Sequence, residues 1–192
     1  MIGEELLGYL EVTFLSLIVN VIPAFTPPTW IVLSLYKINN PQLNSLAIAM
    51  LGVIGSVSGR FVMYLYSKAL GRFIPQKYAD NLNYFKKFVE ERKLGIFLGT
   101  LIYSLVPLPS NLLFIAFGAS SVKVLPVLAG FALGRAISYT AIVYASFRAF
   151  VFFESFGIEN LRYLADLLGI LAAVAMIFID WRKVFEKRKE KV

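Results

Sequence analysis

The sequence predicts an all-α integral membrane protein built from two related halves. Of its 192 residues only 16% are charged and 58% are hydrophobic, whereas about a quarter of the residues in a soluble domain are charged. Long runs without any charge recur along the chain, and two of them are interrupted by closely spaced prolines. The uncharged runs are 12–36, 38–59, 94–122, 124–134, 136–147 and 167–179.

The run 94–122 carries the clearest interruption. Pro107 and Pro109 each lack a backbone donor and clash with the preceding turn, so an unbroken helix is not expected there. The two halves, 94–106 and 110–122, would each be about 20 Å long as helices. The hydrocarbon core of a bilayer is about 30 Å thick. The run is therefore predicted to be a re-entrant hairpin whose ends lie on the same side of the membrane.

A second hairpin is predicted around Pro23, Pro27 and Pro28, between the apolar halves 12–22 and 29–36. Non-helical backbone at membrane depth persists only where protein or a water-filled cavity satisfies its polar groups. The polar residues at both breaks are therefore expected to line a cavity. One alternative stays open for the first hairpin, because residues 4–22 as one tilted helix would almost span.

The segments between the hairpins are predicted to be helical. Pro41 suits the first position of a helix that runs to about residue 69, and Gly71 is predicted to end it in a left-handed conformation. In the connector 73–93, apolar residues recur at spacings of four, three and four, which is one helical face. That connector is predicted to be an amphipathic helix on the cytoplasmic surface. The apolar positions are Tyr78, Leu82, Phe85 and Val89.

The rest of the chain is predicted to form a helix over 126–153, a C-terminal transmembrane helix over 161–181 and a basic tail over 182–192. Basic segments favour the cytoplasm, so an even number of crossings should separate the connector from the tail. This count independently favours re-entry of residues 94–122. A single membrane domain is predicted, consisting of repeat 1 (about 5–72), the connector, repeat 2 (about 94–153), the last helix and the tail.

An internal repeat supports the division into halves. Gly55-x3-Gly59-Arg60-x3-Tyr64 recurs as Gly130-x3-Gly134-Arg135-x3-Tyr139 at a constant offset of 75 residues. Broken helices in inverted repeats are typical of secondary transporters, whose sites lie at the repeat interface. The glycines also allow the simpler interpretation that they only permit close helix packing.

The two motif arginines are the strongest candidates for a functional role, because a cation within a membrane helix is costly. We expect Arg60 and Arg135 to contact hairpin carbonyls or a lipid phosphate. The alternative is that they snorkel to the nearer headgroups, and this applies more to Arg60, which is predicted nearer the end of its helix. Arg135 is accordingly expected to matter more for function.

The composition excludes several classes of function. The chain has no cysteine and no histidine, which removes Ser-His triads, thiolate nucleophiles and the usual zinc ligands. No enzyme activity, metal or cofactor is expected. The net charge of +7 does not indicate nucleic-acid binding, because the excess flanks the apolar runs. Asp166 and Asp180 are interpreted as helix-end anchors.

The pattern resembles the DedA family, also called the VTT-domain or SNARE-associated Golgi protein family. The resemblance covers about 23–144 and rests on the order of several motifs. These are a glycine helix ending in Leu70-Gly71-Arg72, the amphipathic connector, the segment 103–111 with sequence YSLVPLPSN, Ala116-Phe117-Gly118 and Ala129-Gly130-Phe131.

The resemblance implies two facing re-entrant hairpins and movement of lipids between leaflets. Eukaryotic members of this family scramble phospholipids, and bacterial members are linked to recycling polyprenyl-phosphate carriers. By resemblance, Pro107, Pro109 and Arg135 match family motif positions, and the stretch 23–28 matches the first hairpin.

The chain departs from the family at two places. Many bacterial members have an acidic residue in or beside the first hairpin, whereas here no acidic residue occurs between Glu11 and Asp80. The arginines that those members carry around the second proline break are replaced by Ser104, Ser110 and Asn111. These departures favour a passive scramblase over a proton-driven transporter.

The sequence therefore predicts energy-independent translocation of phospholipid or polyprenyl-phosphate lipids in the cell membrane, with the C-terminus cytoplasmic. The alternatives are an ion-coupled exporter of small solutes or drugs, and a non-transporting assembly scaffold. Membrane lipids, recognised by their phosphate headgroups, are the expected partners, and a homodimer is also considered. The residues expected along the lipid pathway are Pro23, Thr26, Pro27, Pro28, Arg60, Tyr103, Pro107, Pro109, Ser110, Asn111 and Arg135.

Overall fold

The computed structural model describes residues 2–24, 26–156 and 161–178, and all regular structure in these ranges is helical. Its helices are α1 (Ile2–Val21), α2 (Thr29–Asn39), α3 (Ser45–Gly71), α4 (Gln76–Glu90), α5 (Lys93–Leu105), α6 (Asn111–Ala119), α7 (Leu125–Glu154) and α8 (Leu161–Phe178). Within the described residues, α3 and α7 are long and apolar enough to cross a membrane. The all-α prediction is therefore confirmed for this part of the chain.

The two long helices form the centre of the molecule and contact each other. The first arm of each proline-broken segment packs along the long helix of its own half, α1 on α3 and α5 on α7. The second arm crosses to the other half, so that α2 lies on α7 and α6 lies on α3. Each half is thus completed by an arm of the other.

The motif glycines explain how closely the first arms approach. A methyl group placed on Gly59 of α3 would lie 2.6 Å from the carbonyl oxygen of Leu17 and 2.7 Å from Cβ of Asn20, both on α1. A methyl group on Gly55 would meet the carbonyl oxygen of Thr13. Only a residue without a side chain fits at these contacts.

The second half repeats these contacts atom for atom. A methyl group on Gly134 of α7 would lie 2.5 Å from the carbonyl oxygen of Leu101 and 2.7 Å from Cβ of Ser104, both on α5. A methyl group on Gly130 would meet the carbonyl oxygen of Phe97. The two halves therefore share one packing geometry and not only a sequence pattern.

The second proline-broken segment leaves one end of the molecule and returns to it. Its helical arms, α5 and α6, are separated by the non-helical stretch 106–110, as the prolines predict. Lys93 at the start of α5 and Lys123 just before α7 line the same groove. The chain therefore turns back on itself at the predicted position.

The first arm differs from its predicted extent of 12–22. Helix α1 begins at Ile2 and has 20 residues, which makes it about 30 Å long. The Tyr36 hydroxyl oxygen lies 2.8 Å from the carbonyl oxygen of Gly8 and 2.8 Å from Glu11 Oε2, and its one proton can be donated to either acceptor. These contacts hold the early turns of α1 against the end of α2. The predicted arm began at residue 12 because the uncharged run begins there, so it left out these earlier turns.

The long helix α3 begins at Ser45, and the predicted start at Pro41 is wrong. The Asn44 side chain caps the helix, because its Oδ1 accepts hydrogen bonds from the backbone amides of the second and third residues that follow it. Asparagine is among the strongest N-cap residues, so Pro41 remains in the turn before it.

The predicted left-handed end of α3 at Gly71 is also wrong. The backbone of Gly71 does not adopt positive φ, and the helix continues into an α-helical cap at Arg72. A methyl group on Gly71 would lie 2.6 Å from the carbonyl oxygen of Ala119, at the end of α6. The glycine is required by close packing and not by the backbone conformation.

The connector helix α4 turns part of its apolar face toward the protein. The Phe85 ring stacks on that of Phe117 with centroids 5.8 Å apart, and Val89 is only 3% exposed. These two residues of the predicted apolar face therefore pack against the protein. The side chain of Tyr78 lies outside the described ones.

The last helix, α8, lies beside α2. The Asn39 side-chain amide donates to Asp166 Oδ1 at 3.0 Å, so this carboxylate links α8 to the end of α2. Asp180 and the basic tail 182–192 lie outside the described residues.

The glycine contacts generate a prediction about stability. Gly59→Ala and Gly134→Ala should each lower the free energy of unfolding by about 1–3 kcal/mol, because the new methyl group overlaps backbone and Cβ atoms of the neighbouring arm. The measurement is thermal unfolding of the purified protein in detergent.

Gly99→Ala is the matched control, because a methyl group there meets no atom within 4 Å. This variant should be unchanged or up to about 1 kcal/mol more stable. A Gly134→Ala protein as stable as the Gly99→Ala protein would contradict the packing described for α5 and α7.

Candidate functional site

The two proline breaks meet between the long helices. The Asn111 side-chain amide at the start of α6 donates to the carbonyl oxygen of Pro23 at 2.7 Å, which joins one break directly to the other. The Tyr103 hydroxyl donates to the carbonyl oxygen of Pro109 at 2.6 Å and fixes the second break against its own first arm. Two segments far apart in sequence thus form one structural unit.

A cavity of about 70 Å³ lies at this junction. Most of the residues that the sequence analysis assigned to a lipid pathway line this cavity. The other two, Pro23 and Tyr103, are hydrogen-bonded to residues that line it. The predicted residues that line it are Thr26, Pro27, Pro28, Arg60, Pro107, Pro109, Ser110, Asn111 and Arg135.

Arg135 is buried beside the second break, with 5% of its surface exposed. Its Nη2 donates to the carbonyl oxygen of Leu108 at 2.9 Å and its Nη1 to that of Val106 at 3.4 Å. The guanidinium carbon lies 5.4 Å from the ring centroid of Phe131 and 5.5 Å from that of Tyr139. Backbone oxygens and aromatic faces thus surround this cation.

Arg60 occupies the corresponding place beside the first break and is 6% exposed. Its Nη1 donates to the carbonyl oxygen of Asn20 at 3.2 Å and contacts the sulfur of Met63 at 3.5 Å. Neither arginine extends toward the molecular surface, so the snorkelling alternative is wrong. The two arginines are thus almost equally buried in the protein.

A polar network that the sequence analysis missed connects the first break to both long helices. Nδ2 of Asn20, which is 1% exposed, lies 2.7 Å from the carbonyl oxygen of Ser16, 2.8 Å from Thr29 Oγ1 and 3.1 Å from Ser56 Oγ. Ser56 Oγ lies in turn 3.3 Å from the Tyr139 hydroxyl. The sequence feature that could have indicated this network is Asn20 itself, an amide side chain within an apolar run. Unpaired polar groups are costly in such an environment, so this side chain needs hydrogen-bond partners.

The two motif tyrosines are not equivalent. Tyr139 lines the cavity, whereas the Tyr64 hydroxyl donates to the carbonyl oxygen of Val122 at 2.8 Å, in the turn between α6 and α7. The sequence repeat therefore contributes one tyrosine to the site and one to the packing of the opposite half.

Several donors at the cavity have no hydrogen-bond partner. Nε of Arg60, Nε of Arg135 and the Ser110 hydroxyl are buried and unpaired, and none of the described lining residues is acidic. Buried donors of this kind normally find an acceptor. A small cavity lined by two guanidinium groups and free donors is chemically suited to an anion such as a phosphate group.

No protein-family model, characterised protein or solved structure matches this chain. The assignment of the site therefore rests on its own residues and geometry.

The arginine contacts predict a specific loss of stability at the second break. Arg135→Met should lower the free energy of unfolding by about 1–3 kcal/mol, because the carbonyl oxygens of Val106 and Leu108 lose their charged donor. Arg148→Met is the control, since Arg148 is an exposed arginine on the same helix.

The measurement combines thermal unfolding with the labelling rate of a cysteine introduced at Leu108, in a chain that has no other cysteine. Labelling should accelerate with Arg135→Met and not with Arg148→Met. Equal labelling rates in the two variants would show that Arg135 does not hold the break.

Proposed function

We propose that this chain is a cell-membrane protein that moves lipids between leaflets, with the phosphate headgroup passing through the cavity at the two proline breaks. The observation that carries the proposal is the pair of buried arginines. One comes from each long helix, both face the same cavity, and both have an unpaired Nε. This arrangement offers cationic donors from both halves of the protein to one phosphate group.

The physical role of such a cavity is to lower the barrier for a polar group crossing hydrocarbon. An unpaired polar or charged group costs several kcal/mol or more in an apolar medium. Guanidinium groups, the Ser110 hydroxyl and the amide of Asn111 replace part of the water that the headgroup loses. The acyl chains can remain in the bilayer, so no chemical step is required.

The proposal includes an inverted repeat with two re-entrant hairpins, as the resemblance to the DedA or VTT-domain family implies. Its support is the equivalent packing of α1 on α3 and of α5 on α7, together with the charge distribution that calls for an even number of crossings. In this arrangement α3 and α7 cross in opposite directions, and the breaks meet near the middle of the bilayer.

The proposed transport is passive. Proton coupling in membranes uses a group that changes charge, usually Asp, Glu or His, and the sequence has no histidine and no acidic residue between Glu11 and Asp80. Arginine stays protonated at any usable pH. The described walls of the cavity do not favour an ion-coupled exporter, because they offer no carboxylate. A scaffold would not explain the cost of two arginines within membrane helices.

Both arginines should be needed for lipid movement. Arg60→Gln and Arg135→Gln should each slow lipid exchange about tenfold or more, since a charge-assisted hydrogen bond to the headgroup contributes about 1.5–3 kcal/mol. The measurement is quenching of fluorescent phospholipids in proteoliposomes by an external reagent.

Arg148→Gln is the matched control and should exchange lipids at the wild-type rate, because its side chain is exposed and away from the cavity. All three variants are first compared by thermal unfolding, so that only folded protein is assayed. Wild-type rates for both Arg60→Gln and Arg135→Gln would overturn the role given to the cavity.

Lipid exchange should not require a proton gradient. In proteoliposomes with and without an imposed pH gradient, the labelled lipid should reach the same final distribution between leaflets. Net accumulation in one leaflet that a protonophore abolishes would contradict passive transport.

A further inference from the structure

A second basic site lies at the end of the molecule where the second hairpin begins and ends. It is an open groove of about 470 Å³ between α4, the start of α5 and the turn before α7. Lysines from all three elements line it, together with Asn83 and two glutamates. The lysines are Lys86, Lys87, Lys93 and Lys123. We call this groove the lysine groove.

The positive charge of the lysine groove is not cancelled from within. One carboxylate is already engaged, because Glu90 Oε1 accepts a hydrogen bond from the backbone amide of Lys123 at 3.3 Å. Within the described residues no ion pair engages any of the four ammonium groups. Two carboxylates against four lysines leave the groove cationic.

The packing of α4 holds this groove in place. Val89 is buried against the core and Phe85 stacks on Phe117, so the inward face of α4 is fixed by protein contacts. Lys86 and Lys87 therefore project from a docked helix, and the groove is a surface of the folded protein rather than of a free arm.

Exposed aromatic rings lie on the same connector. Tyr84 is 74% exposed and Phe88 is 44% exposed, and the Arg92 guanidinium lies 4.2 Å from the Phe88 ring centroid. Phe73, just before α4, is 83% exposed. Basic residues mixed with exposed aromatic rings are typical of a surface that meets lipid headgroups.

We propose that the lysine groove binds the phosphate headgroup of an anionic phospholipid and so anchors α4 to the membrane surface. The site is separate from the cavity between the proline breaks and does not require lipid translocation. An anionic phospholipid is the favoured occupant because the exposed aromatic rings on the same connector suit a lipid surface, whereas a free phosphate would use the lysines alone.

The test uses the full-length protein in detergent, titrated with phosphatidylglycerol or phosphatidylcholine and followed by native mass spectrometry. Wild-type protein should bind phosphatidylglycerol more tightly than phosphatidylcholine. Lys86→Gln combined with Lys123→Gln should weaken phosphatidylglycerol binding tenfold or more, since each lysine near an anionic headgroup contributes about fivefold.

Lys68→Gln combined with Arg148→Gln is the matched control, because it removes the same charge outside the groove. Binding in this variant should stay within about twofold of wild type. Equal weakening by the two double variants would overturn the proposal in favour of a net-charge effect. Competition by inorganic phosphate as strong as that by phosphatidylglycerol would overturn the assignment to a lipid.

Glu91→Gln tests the same site through an expected increase in phosphatidylglycerol affinity. Glu91 lines the groove and is exposed, so its neutralisation should tighten phosphatidylglycerol binding several-fold without disturbing the fold. Unchanged binding in this variant and in the lysine variant together would overturn the proposal. Because the readout is binding, a failure here is distinct from a failure of lipid exchange.

Discussion

The structure depends on the pairing of two buried guanidinium groups with backbone carbonyl oxygens. A buried charge is tolerated only when it is hydrogen-bonded, and the described cavity walls offer no carboxylate for this purpose. Proline breaks supply the acceptors instead, because they release carbonyl groups from helical bonding. Arg135 donates hydrogen bonds to the carbonyl oxygens of Val106 and Leu108, and Arg60 donates one to that of Asn20. At the second break Arg135 supplies a donor to the carbonyl oxygen of Leu108, whereas the carbonyl oxygen of Val106 also accepts from the Leu108 amide at 2.7 Å.

The pairing of each arginine with carbonyl oxygens explains why the arginine directly follows the second glycine of the Gly-x3-Gly-Arg motif. The second glycine of each motif lets the first arm approach until backbone and Cβ atoms touch, at Asn20 for Gly59 and at Ser104 for Gly134. The next residue in sequence is the arginine, which then lies within reach of a carbonyl group at the end of that arm. A larger residue in place of either glycine would move the arm outward. The glycines thus position the carbonyl oxygens that accept from the arginine. Both halves of the protein combine close helix packing with a buried arginine in this way.

The cavity between the proline breaks and the lysine groove differ in a way that suits their proposed roles. Arg60 and Arg135 are buried, held by fixed acceptors, and face a small cavity with unpaired donors. The lysine groove is open and exposed, with long flexible side chains around a wide space. Planar guanidinium groups suit close recognition of one phosphate, whereas lysines act as point charges with looser geometry. The first arrangement suits a headgroup in transit and the second suits a headgroup that anchors the protein at a surface.

The sequence by itself determined the helices, the prolines that interrupt them, and the motif that places one arginine on each long helix. These features are local: proline chemistry and apolar runs act over a few residues, so the break at 106–110 was predictable. The tertiary structure alone decided that the breaks touch through Asn111 and Pro23, that Asn20 links the first break to Ser56 and Tyr139, and that α4 turns Phe85 and Val89 inward. The physical reason is that such contacts join residues far apart in the chain, and their partners are fixed by how whole helices pack.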